Sequence, residues 1–490
     1  MTKVALGIDF GTSSVKAVAL TENGEVVAEA NAPYPMHRAQ PQYAEQAPAD
    51  WMAAMRKVTR AIARSTEPDR IAAIGLSGQL NGIVRCSPDG TPVGMALTWL
   101  DQRAEAATQV LAEKFEDSLY EITGNRANAI AAATKLRFLS ETSPAHTGPV
   151  LQVKDWIAFR LTGEMRTERN EASGTLLMDF SASRWDKSLC DWAGVSRDQL
   201  PPIGNATDRL PPLKADIAET LGLPPGIPVV LGAGDTGALA VGCGAFAPGV
   251  VAVTLGTAGH VVAASPLPPA HEVHGMWRMG HVSPDRELWL GLIPAGALSM
   301  EWLRDIFAFG GRRPDFKALE AAARAVDPTA VEAMFLPFLA GAGTPWSAPA
   351  KAVLSGLDLS QGPGHLIHAV QTGVAHAIAA SINEFSKAGL AIDTVRLAEG
   401  GARSQVWCQT IADVIGREVE ILSHGDTSAV GAALIAFAGV SDAPASAALD
   451  DIIAQAVRPM RRFVPDRDRH DFHRSRHDDF ISRANEETLR

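Results

Sequence analysis

The sequence has few cysteines, no long apolar run and no excess of positive charge, and each absence excludes a class of protein. Its four cysteines, Cys86, Cys190, Cys243 and Cys408, form no CxxC pair, which favours reduced, buried thiols over disulfides or zinc ligands. No segment approaches the roughly 20 apolar residues that a membrane helix requires. The N-terminus, MTKVALGIDFG, lacks the order of a signal peptide, so we expect a cytoplasmic protein without membrane contact.

Charge narrows the range of partners. The formal net charge is -11 at pH 7, from 44 Lys and Arg against 55 Asp and Glu. Nucleic-acid affinity depends on clustered basic residues that displace counterions from phosphates, so we expect no nucleic-acid partner. A small neutral ligand fits this composition better.

Length and hydrophobic pattern predict an α/β protein with two domains. A chain of 490 residues, 46% of them hydrophobic, exceeds the size at which single cores stop growing. Strand-like runs such as VALGIDF and PVVLGAG alternate with stretches of helical spacing at 49–66 and 364–388. This alternation is typical of central sheets covered by helices.

A weak internal repeat suggests how the domains are arranged. LGIDFGTSSVKAVAL, from residue 6, resembles VAVTLGTAGHVVAAS, from residue 251, and both have the pattern strand, Gly-Thr turn, strand. Gly-Thr turns between strands are common, but two copies half a chain apart suggest duplicated domains that face one nucleotide. We therefore predict an N-terminal domain over residues 1–247 and a C-terminal domain over residues 248–490.

The first of these turns has the composition of a phosphate-binding loop. The strand ending in Asp9 leads into Gly11 and a run of hydroxyl side chains, so that backbone N–H groups with Thr12 and Ser13 can surround phosphate oxygens. Asp9 would repel phosphate and is better suited to position Mg²⁺. Lys16 could add positive charge. No Walker A motif occurs in the chain, which disfavours a P-loop fold.

The segment Gly232–Gly237, GAGDTG, admits three interpretations. It formally matches the dinucleotide motif G-x-G-x-x-G, but the acidic residue expected about 20 positions later is missing from VVAVTLGTAGHVV. Asp235 would also oppose a pyrophosphate. Alternatively, Asp235 is a general base that accepts a proton from a substrate hydroxyl, or it only caps a helix that begins near Thr236.

The C-terminal tail contains His470, His473 and His477 close to aspartates, which could indicate a metal cluster. Arginines interleaved with these histidines oppose a bound cation. A solvated amphipathic helix is therefore the preferred interpretation.

Taken together, the motifs resemble those of one family. GIDFGTSSVK, IGLSGQLNG, TWLDQR, KDWIAFRLTGE, GAGDTGALAVG, LGTAG, FLPFLAGAGTP, VLSGLDL and GGARS occur in the order found in the FGGY carbohydrate kinases, in particular those of the xylulokinase type. The resemblance runs from about residue 4 to about residue 440. It implies two RNase H-like domains of the actin, hexokinase and Hsp70 superfamily, ATP and Mg²⁺ as cofactors, and a sugar or polyol as substrate. A homodimer is expected from the resemblance alone.

The resemblance also assigns roles to residues. Asp235 matches the catalytic base and Asp9 the acidic residue that serves Mg-ATP and the metal. The substrate-binding residues would be Gln79, Leu80, Asn81, Trp99, Asp101 and Thr236, although Trp99 could equally be a core residue. The cofactor-binding residues would be Gly11, Thr12, Ser13, Lys16, Gly256, Thr257, Gly296, Gly400, Gly401, Ala402 and Ser404.

The sequence departs from the family pattern in three places, of which the first two fall in the sugar pocket and affect the choice of substrate. Xylulokinases usually have Gln-Met-His-Gly where this chain has Gln79-Leu80-Asn81-Gly82, and Asp-Asn where it has Asp235 and Thr236. The segment Gly341–Pro345 lacks a Glu-Arg pair. We expect phosphorylation of a ketopentose such as D-xylulose at its 5-hydroxyl. The alternatives are ribulose, L-xylulose, a deoxyketopentose, a tetritol or glycerol as substrate, or a catalytically silent nucleotide and sugar sensor.

Overall fold

The computed structural model of the chain describes residues 2–143, 146–267, 273–308, 310–423 and 426–489. It divides into two compact units. The first consists of Met1–Gly244, Arg278–Leu288 and Asp426–Val457, and the second of Ala245–Trp277, Trp289–Gly425 and Arg458–Arg490. The predicted boundary after residue 247 lies close to the first of these divisions. The return of Asp426–Val457 to the first unit has no signal in the sequence.

The first unit is built on a six-stranded sheet. In spatial order its strands are Arg209–Leu210, Val229–Gly234, Ile71–Gly78, Val4–Phe10, Ser14–Thr21 and Val26–Pro33. The three strands from Val229–Gly234 to Val4–Phe10 are parallel, and in the ladder Phe10 pairs with Gly78, which also pairs with Gly234. The carboxyl ends of these strands therefore meet at one edge of the sheet, where ligands of open α/β sheets usually bind.

Helices and short strands cover this sheet and continue the first unit. The helices are Pro48–Ser65, Glu105–Phe115, Asp117–Thr123, Ala132–Thr142, Val153–Thr162, Arg169–Gly174, Lys187–Ala193, Ala215–Leu221, Asp235–Gly242, Thr427–Val440 and Ala445–Ala456, with 3-10 turns at Pro68–Arg70 and Arg197–Gln199. Short strands are Glu45–Gln46, Val84–Arg85, Ala96–Leu97, Val150–Leu151, Thr167–Glu168, Met178–Asp179, Arg184–Trp185 and Ile203–Gly204.

The helix Thr427–Val440 packs directly on the central strands. A Cβ atom at Gly7 would lie 1.9 Å from the carbonyl oxygen of Ala429, and one at Gly75 would lie 2.0 Å from that of Ala432. Glycine on the strands and small residues in TSAVGAALIAFAGV allow the two backbones to approach this closely. The close contact brings the start of this helix to the edge where the parallel strands end.

The second unit contains a seven-stranded sheet. Its strands, in spatial order, are Trp277–Gly280, Arg286–Ile293, Gly259–Pro266, Gly249–Leu255, Ile392–Ala398, Val419–Leu422 and Pro459–Phe463; residues 278–288 of the first two strands are assigned to the first unit. A separate pair is formed by Met334–Leu336 and Val353–Ser355. The helices are Leu298–Ile306, Phe316–Arg324, Pro363–Lys387, Gln405–Ile415 and Arg467–Thr488, with 3-10 turns at Pro328–Ala330 and Gly400–Arg403.

Two helices predicted from periodicity are confirmed with ends shifted by one residue, since 49–66 corresponds to Pro48–Ser65 and 364–388 to Pro363–Lys387. All four cysteines are buried. None of the described helices combines the length and the apolar character needed to cross a bilayer.

The C-terminal helix forms as predicted, but the expectation that its histidines are solvated is wrong for His473. This side chain is 2% exposed, and its ring centroid lies 5.9 Å from that of His376. Within the described ranges, no group of three or more His, Cys, Asp or Glu side chains could hold a metal ion.

Candidate active site

Asp9 and Asp235 lie at the same edge of the six-stranded sheet. Asp9 is the penultimate residue of its strand and pairs in register with Ser77, whose hydroxyl donates a 2.7 Å hydrogen bond to Asp9 Oδ1. Asp235 directly follows the strand Val229–Gly234, which the strand Ile71–Gly78 separates from the strand of Asp9, and it begins the helix Asp235–Gly242. Asp235 is half-buried.

The surroundings of Asp9 favour its neutral form. Burial raises the pKa of Asp9 to about 7, and the charges of Asp426 and Asp235 add to the effect, while the Ser77 hydrogen bond and Lys16 oppose it. Three carboxylates thus influence one another at the ends of the strands. A positive charge placed among them would return Asp9 to its ionised form.

Asp426 was not singled out by the sequence. It precedes the helix Thr427–Val440, and its Oδ1 accepts the N–H of Ala429 at 3.0 Å, which makes it the N-cap. Its Oδ2 lies 2.9 Å from Nζ of Lys16, the residue predicted to face phosphate. An aspartate before a helix is usually only a cap, so no local signal distinguishes this one.

The predicted first phosphate loop is a tight turn fixed by distant side chains. The N–H of Gly11 donates to the carbonyl of Ser14 at 3.1 Å. The carbonyl oxygen of Thr12 accepts Gln46 Nε2 at 2.6 Å, and its hydroxyl oxygen accepts the indole N–H of Trp99 at 2.9 Å. Trp99, predicted to contact substrate or to pack in the core, is half-buried and bonds to this loop.

Ser13 is the exposed residue of the loop, and its carbonyl accepts the N–H of Tyr34 at 3.1 Å. The hydroxyl of Tyr34 in turn donates to the carbonyl of Gly11. Tyr34 therefore fixes the backbone of the loop through these two hydrogen bonds, while the Ser13 side chain is exposed and available to a ligand.

Two predicted sugar-binding residues, Gln79 and Asn81, carry side-chain amides, and that of Gln79 bonds Gln46, which also bonds the loop. Gln79 is fully buried and donates to Gln46 Oε1 at 2.8 Å, whereas its own Oε1 has no hydrogen-bond partner among the described residues. Asn81 has a φ of 61°, donates its N–H to Gln152 Oε1 at 2.7 Å, and accepts the N–H of Ala132 at 3.3 Å. A buried acceptor without a partner is costly, which favours a ligand hydroxyl beside Gln79.

The predicted substrate residue Asp101 is already engaged. It is 1% exposed, accepts Nε and Nη2 of Arg103, and also accepts the N–H of Ala44 at 2.9 Å. Arg103 bonds Glu45 as well and stacks 3.9 Å from the ring centroid of Tyr43. Arg103 and Ala44 thus hold the Asp101 carboxylate in place. The sequence did not indicate Arg103 or Glu45, because their contact joins distant segments.

Close packing against neighbouring residues is enough to explain why two positions of GAGDTG are glycine, so a bound pyrophosphate is not needed to explain them. Gly232 has a φ of +73°, and a Cβ atom there would lie 1.7 Å from the carbonyl oxygen of Leu76. A Cβ atom at Gly234 would lie 2.2 Å from Cδ2 of Leu80, one of the predicted substrate residues. Thr236 is 6% exposed, with its hydroxyl 3.4 Å from Asp235 Oδ1.

In the second unit, a cavity of about 810 Å³ collects several predicted nucleotide residues. Its lining includes Gly256, Thr257, Gly400, Gly401 and Ser404. The volume is within the range of small-ligand sites, and the walls combine apolar side chains with a few polar groups.

Not every predicted nucleotide residue lines this cavity. Gly296 packs against the second Gly-Thr turn, since a Cβ atom there would lie 2.6 Å from the backbone nitrogen of Gly259. Ala402 lines a separate cavity of about 430 Å³. Glu320, which the sequence did not indicate, lines the larger cavity and accepts hydrogen bonds from the Ser404 hydroxyl and from Val406 N–H.

Comparison with known proteins identifies the family. Residues 4–242 match the N-terminal domain of the FGGY family of carbohydrate kinases, and residues 251–440 match its C-terminal domain. The chain belongs to the FGGY family. It is therefore an ATP-dependent sugar kinase that uses Mg²⁺, and its fold is the two-domain α/β fold of the actin, hexokinase and Hsp70 superfamily, as predicted. The dinucleotide interpretation of GAGDTG is wrong.

Similar proteins are full-length sugar kinases. A xylulose kinase of Escherichia coli (strain K12) is 31% identical over 88% of this chain and 89% of its own length, and one of Bacillus subtilis (strain 168) is 29% identical over 94% and 93%. A gluconokinase of Bacillus subtilis (strain 168) is 27% identical over 94% and 92%. The crystal structure of a xylulose kinase from Rhodospirillum rubrum matches with a TM-score of 0.88, 27% identity and 98% coverage of both chains.

The residues at the sheet edge suit Mg²⁺. This ion takes oxygen ligands and is usually bound by one or two carboxylates together with waters and substrate phosphates. Asp9, with Asp235 and Asp426 close enough to raise its pKa, offers such carboxylates without forming a protein cage of three. The observation that supports Mg²⁺ at this place is the raised pKa of buried Asp9, because a cation beside it would stabilise its ionised form.

Proposed function

We propose that this kinase phosphorylates a ketopentose, most simply D-xylulose to its 5-phosphate. Support for the acceptor comes from the two xylulose kinases at 29% and 31% identity and from the uncharged side-chain amides of Gln79 and Asn81 in the first unit. The observation that carries the chemistry is half-buried Asp235, which follows a strand end at the same sheet edge as Asp9 and whose charge raises the pKa of Asp9.

Asp235 acts in this proposal as the general base. A sugar hydroxyl is a weak nucleophile while protonated, and a carboxylate that accepts its proton typically contributes on the order of 10²–10⁴ in rate. Asp9 holds Mg-ATP, and the hydroxyls of Thr12 and Ser13 donate to phosphate oxygens. When bound, Mg-ATP supplies the phosphoryl group and the neutralising charge.

The proposal divides the work between the two parts of the chain. Residues 1–247 carry the sugar site and the first phosphate loop, and residues 248–490 bind the nucleotide, whose base and ribose occupy the cavity lined by Gly256, Gly400 and Ser404. We further propose that the enzyme works in the cytoplasm, without a nucleic-acid partner, as a homodimer.

Sugar recognition follows from the free polar atoms of the site. The unpartnered Gln79 Oε1 accepts from a hydroxyl, and the Asn81 side-chain NH₂ donates to another, because the Asn81 side-chain oxygen is already used by Ala132 N–H. The enzyme then discriminates between sugars because only the correct sugar forms hydrogen bonds with both of these buried groups.

The second candidate is a sugar acid as acceptor, which the gluconokinase relative favours. The two are separated by a coupled ATP-consumption screen over ketopentoses, aldoses, polyols and gluconate, with phosphorylated products located by NMR. We expect the highest kcat/KM with a ketopentose. A preference for gluconate would replace the proposed acceptor, and ATP consumption that no sugar stimulates would contradict catalysis altogether.

The role of Asp235 is tested in the same assay. Asp235→Asn keeps the shape and removes the base, so kcat should fall by about 10²–10⁴. Asp216→Asn is the matched control, because Asp216 also lies in the first turn of a helix but is exposed. Unchanged turnover in Asp235→Asn would refute the general-base assignment.

A further inference from the structure

The turn that carries Asp235 is gripped on both sides by one segment of the first unit. Glu168 Oε1 accepts the N–H of Gly234, the residue before Asp235, at 3.0 Å. Asn170 Oδ1 accepts the N–H of Gly237, two residues after Asp235, at 3.1 Å. Neither residue was expected to matter for catalysis, because both stand far from GAGDTG in the sequence.

Both gripping side chains are themselves fixed. Glu168 is 1% exposed and also accepts the N–H groups of Asn170 and Glu171, at 2.6 and 2.9 Å, as the N-cap of the helix Arg169–Gly174. Asn170 is fully buried and donates its side-chain NH₂ to the carbonyl of Gly280 at 2.7 Å. Each side chain can therefore hold the turn in only one position.

The glycines that flank Asp235 are shaped to this contact. A Cβ atom at Gly237 would lie 2.9 Å from Cγ of Asn170, and a Cβ atom at Gly234 would lie 2.8 Å from Asn170 Oδ1. Any larger residue at either place would push the amide away. Glycine at positions 234 and 237 thus allows the turn to pack closely against Asn170.

We propose that Glu168 and Asn170 are positioning residues that fix the direction in which Asp235 presents its carboxylate. The inference rests on the proposed role of Asp235 as general base. A displacement of about 1 Å at a reacting group can cost about 100-fold in rate, so loss of one grip should lower kcat while sugar binding, which uses other residues, persists.

The test compares Asn170→Ala with Asn170→Asp. The Asp variant, as the neutral acid, keeps an oxygen that can accept the Gly237 N–H and an O–H that can donate to the Gly280 carbonyl, whereas the Ala variant keeps neither. We expect kcat of Asn170→Ala to fall about 100-fold with KM for the sugar changed less than about threefold, and Asn170→Asp to recover about tenfold of the loss.

A matched control separates positioning from general stability. Asn125 is 7% exposed and grips a neighbouring stretch in the same way, accepting Arg278 N–H at 2.8 Å and donating to the Arg278 carbonyl at 2.7 Å. It has no hydrogen bond to the Asp235 turn among those found. Asn125→Ala should lose a similar amount of thermal stability and keep kcat within about twofold.

The inference is overturned if Asn170→Ala and Asn125→Ala lower kcat equally, or if Asn170→Asp is no better than Asn170→Ala. Its failure differs from failure of the proposed function. An inactive Asp235→Asn together with a fully active Asn170→Ala refutes the positioning alone, whereas a fully active Asp235→Asn refutes the base and, with it, the reason for positioning.

Discussion

The ammonium group of Lys16 lies 2.9 Å from the carboxylate of Asp426, which joins the second strand of the sheet to the start of the helix Thr427–Val440. Both charges act on Asp9, since Asp426 raises its pKa and Lys16 lowers it. The pair therefore adjusts the ionisation of the carboxylate proposed to serve Mg-ATP. Asp426 does this from a part of the chain far from the phosphate loop.

Removing the charge of Asp426 and removing that of Lys16 should shift the pH dependence of kcat/KM for Mg-ATP in opposite directions. Asp9 is ionised only above about pH 7, so Mg-ATP use should fall as the pH drops through that value. Asp426→Asn keeps an N-cap but loses a negative charge, which lowers the pKa of Asp9 and moves the fall to lower pH. Lys16→Gln moves it to higher pH. Profiles of kcat/KM for Mg-ATP would contradict this if both variants shifted the same way.

Asp9→Asn should stabilise the protein while it abolishes activity. Asp9 has a pKa of about 7 in the folded chain against an ordinary value of 3.8, so the folded state binds the extra proton and unfolding becomes easier as the pH rises from 4 to 7. A neutral Asn avoids this cost and should add about 1–4 kcal/mol to the unfolding free energy at pH 8. Denaturant titrations check it, and the gain should vanish at pH 4. A variant that is less stable at pH 8 would contradict the electrostatic argument.

Sequence reasoning found the parts of the site that are local in the chain. Asp9 with its hydroxyl-rich turn and Asp235 with its glycine turn each lie within a short motif, where strand, turn and chemistry can be inferred together. The α/β class followed from the alternation of strand-like and helical runs. These features depend on neighbours a few positions away, which a sequence displays directly.

The rest of the site depends on long-range contacts that have no local signature. Asp426 looks like an ordinary helix cap, and Glu168 and Asn170 look like the start of a short helix. Only the fold brings Asp426 to Lys16 and brings Glu168 to Gly234. The same holds for Asp101, whose hydrogen bonds from Arg103 and Ala44 could not be inferred from its motif, while its contact with substrate stays a prediction.

Gly431→Ala should destabilise the first unit, although alanine favours helices. A Cβ atom at Gly431 would lie 1.8 Å from the carbonyl oxygen of Ala238, in the helix that begins at Asp235. The two helices must separate, which should cost about 3 kcal/mol or more and outweigh the roughly 1 kcal/mol gained in helix propensity.

Gly362→Ala is the control for this substitution, because nothing lies within 4 Å of a Cβ atom there. It should change the unfolding free energy by less than about 1 kcal/mol. Denaturant midpoints of the two variants make the comparison. Equal midpoints would mean that the helices can adjust to the added methyl group.

The C-terminal helix should loosen at mildly acidic pH because of His473. Both ring nitrogens of His473 lack a hydrogen-bond partner among the described residues, and burial lowers its pKa to about 4, helped by Arg476, His368, His470 and Arg469. The unfolded chain therefore binds a proton below pH 6.5 that the folded chain binds only near pH 4, so stability falls by up to about 3 kcal/mol across that interval.

His473→Leu should lose less stability between pH 7 and pH 5 than the wild type, whereas His274→Leu, at an exposed histidine, should follow the wild type. Parallel losses in the wild type and His473→Leu would show that another group governs the acid response.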